Sequence, residues 1–207
     1  MEGTTQVQVD PRANRTFANT LRSILRQDPD IVMVGEIRDS ETAANVVQVA
    51  LTGHLVLSLL HTNDARSAVH GLCDMGVAPY LLGPALRCIV GQRLVPRVCR
   101  DCAEPVESAP GMSREFGLDS AKRWDCFRRG KGCGGCRGKG AKGRMAIQEV
   151  LYVSPEMSSA IWCAAPDTEI LALAAAAGYR PMLEDGLDRA RRGLVTLEDV
   201  LAVARTE

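Results

Sequence analysis

Residues 4–10, TTQVQVD, alternate polar and apolar side chains, the period of a half-buried strand. The pattern then lengthens. In TFANTLRSILRQ, Phe17, Leu21, Ile24 and Leu25 fall on one face of a helix, with Thr16 able to cap its start and Pro29 blocking its continuation. IVMV at 31–34 is a continuous apolar run rich in β-branched residues, which predicts a short strand covered on both faces. Gly35 and Glu36 follow it. Asp39 or Ser40 can cap a helix over 41–52, which Gly53 ends. A second apolar run, LVLSLL at 55–60, leads directly to His61. Strand, helix and strand at this spacing predict a βαβ unit and hence a parallel pair. Helices are expected over 65–75 and 79–94, then a loop-rich stretch over 96–144. RMAIQEVLYV reads as a strand, and helical patterns follow over 155–163, 167–177, 184–193 and 196–204. Thr196 with Asp199 has the spacing of a capping box, with Asp in the usual Glu place. No internal repeat is present.

Composition narrows the function classes. The chain has 207 residues, 46% of them hydrophobic, enough for one large domain or two small ones. Lys+Arg and Asp+Glu both number 25, which argues against a globally steered nucleic-acid binder. Aromatics make up 4%, too few for a base-stacking platform, so nucleic acid is not an expected partner. MEGTTQVQVDPR has no apolar core of a signal peptide, and no run approaches the ~18 apolar residues of a membrane span. A soluble, intracellular protein is expected.

The βαβ reading has a chemical consequence. Glu36 falls just past the C-terminal end of one strand and His61 at the C-terminal end of the next, and open α/β sheets bind ligands at that edge. A carboxylate there can polarise a water for attack on a γ-phosphate or hold Mg²⁺ through water. An imidazole can sense or orient the phosphate. Arg38 and the start of the helix near Ser40 add positive character. A polar residue after a strand is also what any solvated loop carries. By pattern alone His54 faces away from His61 and reads as structural, and His70 lies within a helix. Arg22 and Arg26, four apart, share a helix face. They could reach a phosphate across a subunit boundary, or simply be solvated.

LRSILRQDPDIVMVGEIRDSETA resembles the Walker B box of bacterial secretion and type IV pilus assembly ATPases, and ALTGHLVLSLLHTNDA is similar to the same family's histidine box. MGVAPYLLGPALRCIVGQRLV and GYRPMLEDGLDRARRGLVTLEDVL extend the resemblance, to the GspE-like traffic ATPases, over nearly the whole chain. The resemblance implies an α/β fold, the second half of a RecA-like P-loop NTPase core with a tetracysteine zinc module and a C-terminal helical subdomain. The expected division is 1–95, 96–145 and 146–207. It implies a hexameric motor using ATP and Mg²⁺, cytoplasmic and peripheral to the inner membrane, with a membrane-embedded platform protein as partner. Glu36 falls on the family's catalytic glutamate, His61 and His54 on its histidine box, and Gly35 where an ordinary Walker B carries aspartate.

A phosphate cradle needs G-x-x-x-x-G-K-[ST], so that backbone N–H groups and a lysine surround the phosphates. RGKGCGG and RGKGAKGR contain Gly-Lys, but neither is followed by Ser or Thr. In the family that loop lies upstream of the segment corresponding to residue 1. The isolated polypeptide is therefore expected neither to bind ATP tightly nor to hydrolyse it, and its sheet to expose an unpaired edge and a bare apolar face. A non-enzymatic, zinc-stabilised module that joins or caps a motor ring is the alternative.

The chain has eight cysteines. CRDC at 99–102 and CGGC at 133–136 give two C-x-x-C turns, each able to present two thiolates; Cys99, Cys102, Cys133 and Cys136 together are expected to make a tetrahedral S₄ site suited to structural Zn²⁺, the alternatives being four unliganded thiols or a redox pair. Cys126 could substitute as a ligand, and Cys73 and Cys88 are expected in the core. In the family this element marks export or assembly motors. Residues 122–144 carry nine Lys/Arg against one acid, Asp125. That stretch is either a solvated loop or a surface for the platform protein or anionic lipid, Arg128, Arg129 and Lys131 included, with Trp124 and Phe127 its only aromatics.

Overall fold

Thr16 starts the first helix as its spacing predicts: its hydroxyl accepts the Asn19 N–H at 3.3 Å, satisfying one of the orphan donors of α1 (Phe17–Leu25). A computed structural model describes residues 3–10, 12, 16–106 and 127–204. Leu21 is buried on α1, while Phe17, Ile24 and Leu25 are half-buried. Residues 4–9 form no strand, and Asp10 alone makes an isolated bridge. Alternation supplies a face, but a strand also needs a neighbour's backbone to hydrogen-bond.

The described chain falls into two units. The first holds residues 1–62, 66–89 and 152–177. Its centre is β1 (Ile31–Val34), α2 (Ser40–Leu51) and β2 (Leu55–Ser58), with β1 and β2 parallel in the register Ile31↔Leu55 to Val34↔Ser58. This is the expected βαβ unit. Asp39 caps α2, its Oδ1 accepting the Thr42 N–H at 2.8 Å and its Oδ2 the Thr42 hydroxyl at 3.0 Å. Ala43, Val46, Val47 and Val49 form the buried face of α2, which packs on α1, β2 and the helix Pro79–Ala85. Each fully buried valine contributes roughly 1.5–3 kcal/mol, so this face holds the helix more firmly than its propensity does.

The two strands are not covered on both faces as their apolar runs predict. Val32 and Val34 are buried, but Ile31 is 59% and Met33 71% exposed, and Leu55, Leu57 and Leu59 are exposed too. The bare apolar face was the expectation drawn from the missing phosphate loop. It is present among the described residues. Also in this unit are α3 (Ser67–Asp74), α4 (Pro79–Ala85), α5 (Pro155–Trp162) and α6 (Asp167–Ala176), with α4 packed on α5 and α5 on α6.

The expected helix over 79–94 is two elements. α4 stops at Ala85; Leu86 turns to ψ 137°, and β3 (Cys88–Val98) begins. Pro84 weakens the helix, and Ile89 and Val90 favour a strand once one is available to pair. That partner is β6 (Ala141–Tyr152). Contacts between Cys99 and Gly140, Gln92 and Gln148, and Arg87 and Val153 run in opposite senses, so the pair is antiparallel. The change explains Cys88: at the head of a strand it is exposed, and Cys73 is half-buried, so neither is the expected core cysteine.

The second unit holds residues 63–65, 90–151 and 178–207. Its core joins Val95 and Ile147 of the ribbon to Phe127 and to α7 (Met182–Arg191) and α8 (Leu197–Ala204), through Met182, Leu187, Ala190, Val200 and Leu201. The Thr196–Asp199 capping pair forms: Asp199 N–H donates to the Thr196 hydroxyl at 3.1 Å, and that hydroxyl donates to Asp199 Oδ2 at 2.5 Å. Short strands β4 (Ala103–Pro105) and β5 (Arg128–Gly130) pair antiparallel beside the cysteine turns. No helix among the described residues is long and apolar enough to cross a membrane.

Candidate functional site

The parallel register carries Glu36 and His61 to the same rim. Beyond the last paired residues, Ile37 N–H donates to the Leu59 carbonyl at 3.0 Å, so the two chains stay together past the strands. His61 Nε2 lies 2.7 Å from Glu36 Oε2. A carboxylate only accepts, so Nε2 carries the proton, leaving Nδ1 as the second ring nitrogen. Arg38 pairs with the other oxygen, Oε1. The His61 hydrogen bond, and then the Arg38 guanidinium, hold the Glu36 carboxyl below the usual carboxylate range. The acid is therefore ionised at neutral pH, with both oxygens engaged. Each oxygen keeps a second acceptor site, so a water or Mg²⁺-bound water can reach the carboxylate beside these partners.

The other residues singled out at this site are placed differently. Gly35 sits between β1 and Glu36, exposed, and a Cβ there would meet open space. His54 is at the opposite end of β2, its Nδ1 3.1 Å from the Thr52 hydroxyl and 3.3 Å from the Val49 carbonyl, closing the end of α2. Arg22 and Arg26 are exposed on α1 and at its C-cap, and neither hydrogen-bonds Glu36 or His61. The positive N-terminus of α2 is already met by the Asp39 carboxylate, which its bonds to Thr42 hold below the usual range. His70, exposed on α3, pairs with Asp167 at 3.1 Å.

The four cysteines of the paired turns converge in the second unit. All four Sγ atoms lie within 4.8 Å of one another, with Cys99–Cys133 and Cys102–Cys136 both at 3.9 Å and Cys133–Cys136 at 3.7 Å. A Zn–S bond of ~2.3 Å in a tetrahedron sets sulfurs about 3.8 Å apart, so the donor set fits that ion. Cys99, Cys102 and Cys136 are buried, and each C-x-x-C ends in a 3₁₀ turn, Arg100–Cys102 and Gly134–Cys136. Cys136 Sγ accepts the Cys133 N–H at 3.2 Å and the Gly140 N–H at 3.3 Å, which lower its thiol to about 6. Burial raises the Cys102 thiol to about 12. Backbone donors thus prepare one thiolate, while burial leaves Cys99 and Cys102 in need of a cation beside them to ionise.

Gly140 brings the second turn onto the first. Its φ is +68°, and a Cβ there would stand 2.2 Å from the Gly130 carbonyl oxygen, so only glycine fits. Cys99 N–H then donates to the Gly140 carbonyl at 2.9 Å. The expected alternative ligand Cys126, and Trp124 with the first part of the basic stretch, lie outside the described residues. Of the bases within it, Arg129 pairs with Glu198 and Lys131 with Glu104 at 2.6 Å, while Arg128 lies against Gly193. Arg137, Lys139 and Arg144 are exposed and make no ion pair among the described residues.

One buried acid escaped the sequence reading. Glu149 on β6 is 4% exposed. The signal was available: in AIQEVLYV, Ile147, Glu149 and Leu151 share a face, so the acid sits at a core position of the alternation.

Comparison with known proteins places these sites in context. Residues 1–202 match the family model described as "Type II/IV secretion system protein". The type IV pilus assembly ATPase PilB of Thermus thermophilus is 49% identical over 201 residues, covering 97% of this chain and 23% of that protein. The type II secretion system ATPase E of Vibrio cholerae is 44% identical over 206 residues, covering 99% of this chain and 40% of that protein. The chain thus spans well under half the length of these relatives. Among solved structures, the pilus retraction motor PilT with bound ADP aligns at a TM-score of 0.63 and 25% identity, over 93% of this chain and 44% of that one. The Yersinia pseudotuberculosis ATPase DotB shares the fold, with a TM-score of 0.64, 18% identity, and 97% and 43% coverage.

Proposed function

This chain belongs to the type II/IV secretion system protein family, and on that premise we propose that it forms the C-terminal part of a secretion or pilus-assembly motor ATPase, contributing the acid–histidine side of the nucleotide site. The observation that carries the reading is the 2.7 Å Glu36–His61 hydrogen bond at one rim of a parallel pair. In this reading Glu36 orients the attacking water or holds Mg²⁺ through water, and His61 orients the phosphate once its bond to Glu36 is exchanged. Arg38 keeps the acid ionised. Gly35 leaves the approach to Glu36 open, His54 fixes the far end of β2, and Arg22 and Arg26 serve a neighbouring subunit's nucleotide. Bound ATP with Mg²⁺ supplies the phosphoryl group whose transfer drives export or pilin assembly.

These 207 residues contain no G-x-x-x-x-G-K-[ST] loop. Phosphoryl transfer rests on positioning and charge, so they do not turn over ATP by themselves. The cradle comes from other polypeptide, which also covers the apolar face of Ile31, Met33 and Leu57. In the assembled motor the chain stands in a hexameric ring, cytoplasmic and peripheral to the inner membrane, against a platform protein. Zn²⁺ held by Cys99, Cys102, Cys133 and Cys136 has a closed coordination and a structural role. Anionic lipid headgroups meet Arg128, Arg137, Lys139 and Arg144; loss of co-sedimentation with anionic vesicles on neutralising these four is expected, and unchanged binding overturns that contact.

The test of the main reading is ATP hydrolysis by the chain alone and after mixing with a polypeptide bearing the phosphate loop of a relative. Turnover only in the mixture, abolished by Glu36→Gln, is expected. Mg²⁺-dependent turnover by the chain alone, lost in Glu36→Gln, overturns the division of labour. Silence in both, with the two polypeptides bound to each other, favours the second reading, a zinc-stabilised interaction module that joins a motor ring; the self-contained cysteine cluster is the observation on its side.

A further inference from the structure

The four sulfurs of the cysteine cluster are not equally covered. Cys99, Cys102 and Cys136 are buried, Cys99 completely, while Cys133 is half-buried. On the side where Cys133 meets solvent stands an acid. Asp101, within the first C-x-x-C turn, places Oδ2 3.9 Å from Cys99 Sγ. A Cβ on Gly135 would stand 3.0 Å from that oxygen and 3.6 Å from Cys133 Sγ, so oxygen and sulfur flank one point that glycine leaves clear. The Asp101 side chain is 63% exposed. Lys142 Nζ stands 3.9 Å from the same oxygen, beyond hydrogen-bond distance, and leaves it accessible. All of these residues lie in the second unit.

An ion bound by one thiolate at ~2.3 Å and one carboxylate oxygen at ~2.0–2.2 Å sets the two atoms about 3.5–4 Å apart. The separation of Asp101 Oδ2 from Cys99 Sγ falls in that range and equals that of Cys99 from Cys133. In a filled site the acid gains nothing. Four thiolates already carry more negative charge than one Zn²⁺ offsets, and a fifth anion adds repulsion. During exchange the balance reverses, because an ion that has left one sulfur needs another donor within reach. We propose that Asp101 is a fifth, transient ligand, which with Cys99 and Cys133 carries a metal ion between solvent and the closed four-sulfur site. In that step the carboxylate oxygen replaces a leaving sulfur on the way out, and one bound water on the way in. The proposal rests on the Zn²⁺ reading above.

Exchange of bound Zn²⁺ for a heavier zinc isotope, followed by native mass spectrometry on the full reduced chain, tests it, because the chain begins and ends in the same state. A competition titration with a chelator gives the Kd alongside. A ligand used only in passage lowers the barrier in both directions, so its loss slows exchange and leaves affinity unchanged. Asp101→Asn keeps the backbone N–H that donates to Cys99 Sγ. It should slow exchange about tenfold, with Kd the same within about twofold. Gly135→Ala, whose methyl fills the point between Oδ2 and Cys133 Sγ, should slow exchange too. Glu104→Gln removes an equal charge from the neighbouring strand β4 and should leave the rate within about twofold. Exchange at the parent rate in Asp101→Asn overturns the proposal. So does equal slowing in Glu104→Gln, which would make the effect one of general charge. An Asp101→Asn chain that releases Zn²⁺ faster and holds it more weakly also overturns it, since that is the mark of a structural contact. A parent chain that retains no Zn²⁺ removes the metal reading and the transient ligand with it, whereas unchanged exchange in a chain that retains Zn²⁺ removes the transient ligand alone.

Discussion

The Glu36–His61 rim and the four-cysteine cluster are built on opposite terms. The cysteine cluster closes on itself: four sulfurs, two 3₁₀ turns and a glycine-permitted backbone contact satisfy one another within residues 99–140. The rim is supported from one side. Its strands bury Val32 and Val34 but leave Ile31, Met33, Leu55 and Leu57 exposed. Its histidine is exposed and its acid half-buried, and their geometry depends on two strand ends staying in register. A metal site needs only its ligands and their second contacts. A phosphoryl-transfer site needs a cradle that surrounds the substrate, and half a rim cannot supply it. On the nucleotide-site reading proposed above, the same chain contains a cysteine cluster that closes within itself and a rim that gains its chemistry on assembly.

That contrast can be broken most forcefully at the metal. Chelation of Zn²⁺, or Cys102→Ser, should remove roughly 10 kcal/mol of local stability and open residues 99–106 and 127–140 to protease, with about one Zn²⁺ lost per chain by elemental analysis. The Glu36–His61 rim should keep its NMR signals if the devices are independent. Gly140→Ala tests the backbone closure of the cluster. Its Cβ meets the Gly130 carbonyl at a positive φ, so a loss of about 2–4 kcal/mol and weaker Zn²⁺ retention are expected in melting and competition assays. Thr196→Ala removes the cap of α8, beside the second unit's core, and should lower stability by about 1 kcal/mol in denaturant titration.

The rim side yields smaller effects on folding and larger ones on association. Met33→Lys at a side chain 71% exposed should change stability by no more than ~0.5 kcal/mol but lower self-association in light scattering, and block binding of a loop-bearing partner. Unchanged association would mean that the bare face is not an interface. Asp39 sharpens the comparison by pH. Its carboxyl is held below its ordinary 3.8 in the folded state, so its stabilisation is present above that value and fades as pH falls through the lowered one. Asp39→Asn keeps the cap and should flatten this acid limb in melting curves recorded between pH 5 and 2, with little change at pH 7.

Much of this was legible along the chain because it is local. Thr16, Asp39 and Thr196 cap the helices their spacing marks, and IVMV, the following helix and LVLS form the βαβ unit. The two C-x-x-C turns announced a four-sulfur cluster. The misread stretch is equally instructive. Residues 79–94 hold enough apolar residues for a helix. Their second half became β3 because β6, far along the chain, offered a partner that no window around Cys88 contains. The alternation around Glu149 marks it as a core position, but its three donors come from positions 65, 179 and 182, which no local window joins.

By itself the sequence determined the elements with strong periodicity and caps, the family, and the two C-x-x-C turns, since side-chain pattern and short-range hydrogen bonding are properties of neighbours. Only the tertiary structure decided that Glu36 and His61 share a hydrogen bond while His54 does not join them, that Gly140 must be glycine, and that a buried acid ties Ala65 to α7. Those outcomes depend on register and on close approach between distant segments, and no local pattern encodes a distance.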